Sequence, residues 1–184
     1  MLTDFEIERI FNILMNMLHI EIGWDFALDG EIQKDISGVY LKPEEARLLF
    51  ETNDKDGMII LNEEFNTDEL QMNFVSTIAH ECFHAYQFKN RFKNPIYLNE
   101  CNEKFSMRGK DIYDEKYLNR QIEVEAYTFQ NIFLHYVYDT NNIDIEVMKH
   151  LNSIRVEDAK KMIIPIIQKF HKKITGENLD ITKL

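Results

Sequence analysis

Thr67-Asp68-Glu69-Leu70-Gln71-Met72-Asn73-Phe74-Val75-Ser76-Thr77-Ile78-Ala79-His80-Glu81-Cys82-Phe83-His84-Ala85-Tyr86-Gln87-Phe88-Lys89-Asn90 is the stretch on which the fold turns. Thr67 offers a side-chain oxygen as an N-cap, with Glu69 and Leu70 behind it, and the spacing predicts one long helix from Thr67 to about Asn90. With His80 as origin and about 100° per residue, Asn73, Ser76, Thr77, Glu81, His84 and Gln87 share one side. Val75, Ile78, Ala79, Cys82, Phe83, Ala85 and Tyr86 share the other, with Phe88 the main exception. That division predicts a helix with one face in the core and its histidine face turned away from it.

The centre of this helix is His80-Glu81-Cys82-Phe83-His84, an HExxH pattern. Residues four apart are offset by about 40° around the axis, so both imidazoles project from one face and can bind one ion. Glu81 lies about 100° from His80. It can reach a water held by that ion without being a ligand, as a general base must. Cys82, offset by about 200°, points toward the core. Lys89, Arg91 and Lys93 follow the motif and suit the helix C-terminal dipole.

A catalytic zinc takes three protein ligands and keeps a fourth position open for water. The pattern HExxHxxGxxH is not met, because Gln87 and Asn90 occupy the Gly and His positions. A later predicted helix, Tyr117 to Tyr138, offers Glu123 and Glu125. Both fall near the borders of an apolar side built from Ile122, Ala126, Phe129, Phe133, Tyr136 and Val137, so periodicity does not choose between them. Packing favours Glu123, since the small Ala126 one turn on lets this helix approach the histidine helix. Thr128 and Phe129 follow Glu125 and hold the backbones further apart. His135 points about 120° away from Glu123 and is not assigned to the metal. His19, His150 and His171 have no partner pattern.

Outward from these helices, Leu2 to Leu18 carries apolar residues at helical spacing behind a Thr3/Asp4 start. Ile20, Ile22, Trp24 and Phe26 alternate through His19 to Leu28, which predicts a strand. Asp29-Gly30 is a turn leading to a second extended stretch near Ile36 to Leu41. Pro43 opens a short helix to Glu51, and Met58-Ile59-Ile60-Leu61 reads as a further strand. Phe92 to Lys116 is irregular and long for a connection, a length often found in functional loops. A last helix runs from Asp144 to Lys173, broken near Ser153 and bent at Pro165. The fold class is therefore α+β, a small antiparallel or mixed sheet packed against a mostly helical body. With no internal repeat and no Gly/Ser linker, residues 1–184 read as a single domain.

Across the 184 residues, 32 Asp+Glu against 21 Lys+Arg give a net charge of −11. With no dense basic run to neutralise phosphates, nucleic acid is excluded as a partner. Asp4, Glu6 and Glu8 precede any apolar stretch, so the start does not read as a secretory leader. The longest apolar runs, such as Met162 to Ile167, fall far short of a membrane span. The two cysteines, Cys82 and Cys101, form no CxxC pair and read as structural thiols. A cytoplasmic protein is the expectation. The pattern leaves its oligomeric state open.

HExxH on one helix and Glu-x-x-Ala-x-x-Phe on a later one, here Glu123 to Phe129, resemble the compact gluzincin metallopeptidases, including the minigluzincins and the ImmA/IrrE-type peptidases. The resemblance spans roughly Met58 to Phe129. It implies a zincin-like fold with Zn²⁺ held by His80, His84 and Glu123, and Glu81 as base. It also implies that Met58-Ile59-Ile60-Leu61-Asn62 is a sheet-edge strand aligning an extended peptide or protein substrate. Thermolysin-like relatives carry Asp four residues after the ligand Glu, where this chain has Tyr127. The spacing from His84 to Glu123 is generous for an ImmA/IrrE-type protein, and no helix-turn-helix module is apparent. The expected activity is peptide-bond hydrolysis by a zinc metallopeptidase. Tyr127 is the first candidate to stabilise the oxyanion, and Tyr97 or Tyr113 are alternatives. The competing readings are a degenerate zincin-like domain serving protein association, and a plain α+β interaction domain in which HExxH is accidental.

Overall fold

The computed structural model describes residues 1–27, 36–91, 118–138 and 149–181. Over these residues the chain is α+β, with five α-helices and a three-stranded mixed sheet. It forms two compact units, Met1–Lys89 and Asn90–Leu184.

The first unit opens with α1, Asp4–Leu18, started by a reciprocal cap in which the Thr3 side chain accepts from the Glu6 N–H and the Glu6 carboxylate accepts from the Thr3 N–H. This arrangement satisfies two helix-end donors at once. Ile7, Ile10, Phe11, Leu14, Met17 and Leu18 form its buried stripe. His19 ends the helix in the left-handed region, and the chain continues into strand β1, Gly23–Phe26. Then follow β2, Gly38–Leu41, α2, Pro43–Phe50, and β3, Met58–Leu61. The predicted Asp29-Gly30 turn lies outside the described residues.

The strands run β1-β3-β2, with β3 parallel to β1 and antiparallel to β2. All four residues of β3 are buried. An apolar run without alternation suits a strand covered on both faces, and that places Met58–Leu61 at the centre of the sheet. The expectation of a sheet-edge strand there is thereby corrected: among the described residues the edges are β1 and β2.

Gly57, at φ +98°, makes the turn into β3, and a Cβ there would overlap the Leu41 carbonyl oxygen.

Helix α3, Gln71–Arg91, starts one turn later than predicted; Thr67 instead accepts from the Leu70 N–H in the preceding turn. It lies close to β2. A Cβ on Gly38 would stand 2.8 Å from the Thr77 methyl, and the Ser37 and Thr77 hydroxyls are 2.7 Å apart. Near its end Lys89 donates to the His19 carbonyl and to Asp56, at 2.7 and 2.8 Å. Asp56 also accepts from the Glu21 N–H. Lys89 thus places its charge at the C-terminal end of α1, where carbonyls favour a cation, and not at the end of its own helix as the sequence suggested.

In the second unit α4, Gln121–Tyr138, packs against α5, Ser153–Thr175. Leu118, Val124, Leu151 and Val156 form a buried cluster, and the Tyr136 hydroxyl meets His171 Nδ1 at 3.1 Å. Asn152 caps α5 through the Ile154 and Arg155 N–H groups, at the predicted break near Ser153. Pro165 lies inside α5. Among the described residues, no helix is long and apolar enough to cross a membrane.

Candidate metal centre

The histidine face of α3 is not turned to solvent as its polarity predicts. His80, Glu81, His84 and Gln87 are 8%, 7%, 6% and 3% exposed, and Ser76 is also buried. Polar groups withdrawn from water require partners, and His80, His84 and Gln87 meet one another while Glu81 meets β2. The His80 and His84 Nε2 atoms stand 3.0 Å apart with the rings close to perpendicular. His84 Nδ1 lies 2.8 Å from Gln87 Oε1. The Tyr40 N–H of β2 donates to Glu81 Oε2 at 2.8 Å.

Glu123 on α4 is fully buried, and one ligand atom each from His80, His84 and Glu123 lies within 4.8 Å of the others. Among the described residues this is the group of His, Cys, Asp or Glu side chains able to hold a metal ion. Glu125, equally withdrawn at 2% exposed, accepts instead from the Gln121 side chain at 2.9 Å and is not in the group.

The donor set fits a divalent cation. Two imidazole nitrogens and a carboxylate oxygen are the ligands of many three-ligand zinc sites. Nitrogens each about 2.0–2.1 Å from a tetrahedral ion stand about 3.3 Å apart, close to the 3.0 Å between the two Nε2 atoms. A buried carboxylate is costly unless opposite charge meets it, and a cation on these imidazoles is charge of the right sign. Cys82 stays outside the set. Burial, and after it the Glu81 charge, pushes its thiol well above the usual range, so it stays protonated and does not act as a thiolate.

Tyr127 is half-buried, packed against the Leu118, Val124, Leu151 and Val156 cluster. Tyr97, Tyr113 and Cys101 lie outside the described residues. Two site residues escaped sequence reasoning. Gln87 is three residues past His84 on its face, and that spacing was a usable sign. Tyr40 acts through its backbone, which no side-chain pattern reveals. No family model, curated protein or solved structure matches the chain.

Proposed function

We propose that the chain is a zinc-dependent metallopeptidase, with His80, His84 and Glu123 as ligands and Glu81 as general base. The observation that carries this reading is the convergence of those three ligand atoms within 4.8 Å, with Glu81 one residue from His80 on the same buried helix face. Bound Zn²⁺ would supply a Lewis acid that acidifies water and polarises a scissile carbonyl. Glu81 takes the proton from the attacking water and passes it to the leaving amine. The Tyr40 N–H holds Oε2 of that carboxylate, leaving Oε1 to carry the proton.

The substrate is an extended peptide laid along β2. In an antiparallel pair alternate residues turn their main chain away from the partner strand, and the bond from Tyr40 to Glu81 marks Tyr40, and with it Gly38, as outward-facing. An added peptide strand would use the outward main-chain groups of Gly38, the Tyr40 N–H staying on Glu81. Tyr127 is the proposed donor to the oxyanion.

Zinc analysis beside peptide-hydrolysis assays tests the reading. One equivalent of zinc and turnover are expected in the wild type; Glu81→Gln should keep the metal and lose about 10²–10⁴-fold in turnover. Undiminished turnover in Glu81→Gln overturns the role of the base. Wild-type protein without affinity for zinc overturns the site, and zinc without hydrolysis of any peptide in a broad library would favour the protein-association reading.

A further inference from the structure

His80 and His84 bring their Nε2 atoms to 3.0 Å, a spacing at which one ion can take a lone pair from each. Which nitrogen of His84 carries its proton is set by what lies behind the ring, because a neutral imidazole has one N–H and one acceptor nitrogen. Behind His84 lies the Gln87 side chain, 3% exposed, its Oε1 2.8 Å from Nδ1. An amide oxygen only accepts, so the His84 proton sits on Nδ1 and His84 Nε2 is bare.

From this arrangement we infer that Gln87 is a positioning residue for the metal centre: it locks His84 in the tautomer that presents a lone pair to the ion before any ion arrives. The inference rests on the metal site proposed above. His84 is thereby preset in the metal-free protein. Ligand histidines commonly have such a partner behind them, and loss of it typically costs 10–100-fold in metal affinity. In this chain the partner is neutral and comes from the ligand's own helix, one turn on, so the α3 backbone sets its position.

Long-range ¹⁵N correlation spectra of the metal-free protein read the tautomers directly. The expected result is His84 as the Nδ1–H form; His84 as the Nε2–H form overturns the proposal whatever any variant does. Zn²⁺ affinity, measured by chelator competition on the full chain, provides the second readout. Gln87→Leu removes the acceptor and should weaken binding by about 10–100-fold, with the thermal midpoint of the metal-free protein recorded alongside. Gln87→Glu retains an acceptor and should bind at least as tightly as wild type. A folded Gln87→Leu that binds within about threefold of wild type refutes the positioning role, as does a Gln87→Glu as weak as Gln87→Leu. Wild-type protein that binds no Zn²⁺ would instead remove the metal site itself, an outcome the wild-type titration separates from the others.

Discussion

Glu123 and Glu125 are two residues apart on α4 and 0% and 2% exposed, yet one lies beside the imidazoles while the other bonds Gln121. Successive helical positions i and i+2 point about 200° apart, so a single helix presents only one of them to a given neighbour. Glu123→Ala should therefore abolish stoichiometric zinc, whereas Glu125→Ala should retain it; atomic absorption on both purified variants is the check, and equal zinc in the two would reverse the assignment. The candidate ligand histidines were legible because imidazoles four apart with an intervening Glu form a pattern that one helix fixes by itself. Glu123 was half legible, resting on the small Ala126 rather than on periodicity. Their surroundings were not legible. A polar helix face is ordinarily a solvated one, and only the bond to β2 and the burial of its side chains show that this face is withdrawn from water.

The approach of β2 to α3 depends on Gly38. Its missing Cβ leaves room for the Thr77 methyl, which a Cβ would meet at 2.8 Å, and for Leu61 Cδ2 at 3.2 Å. Gly38→Ala is expected to push the strand outward by a few tenths of an ångström and destabilise by about 1–3 kcal/mol, with turnover falling more than zinc content because the Tyr40 contact to Glu81 lengthens. Denaturant melts beside metal and activity assays would show it. At this scale the sequence yielded α1, α2 and β3 nearly residue for residue, and the C-terminal ends of the long helices but not their starts, since local periodicity and caps determine them. Strand order was hidden. The turn at Asp29-Gly30 suggested that the strands around it were neighbours, while β3 lies between β1 and β2. Pairing between strands distant in sequence depends on burial of both faces of Met58–Leu61, a tertiary fact that its short apolar run only hints at.

For the chain as a whole, the proposed metal site, a buried His-His-Glu group in a chain of net charge −11, would give folding a stake in divalent cation. A ligand that binds only the folded state stabilises it by mass action, about 4 kcal/mol at 1,000 times its dissociation constant. For a chain of this length that corresponds to roughly 8–16 °C in thermal midpoint. Chelation should lower the midpoint by that order, zinc should restore it, and magnesium should not, because it prefers an all-oxygen shell. A midpoint indifferent to chelator and zinc alike would count against a resident ion.

The hydrogen bond from Tyr40 to Glu81 bears on how an inert form of the protein should be made. Unpaired amides along the rim of a sheet recruit other chains, and at Tyr40 the Glu81 carboxylate already takes that amide. Truncation to alanine would strip the rim bare and invite self-association that imitates capture of a genuine binding partner. The amide isostere still offers an oxygen to the same N–H, which makes Glu81→Gln the sound bait for trapping experiments and Glu81→Ala a misleading one.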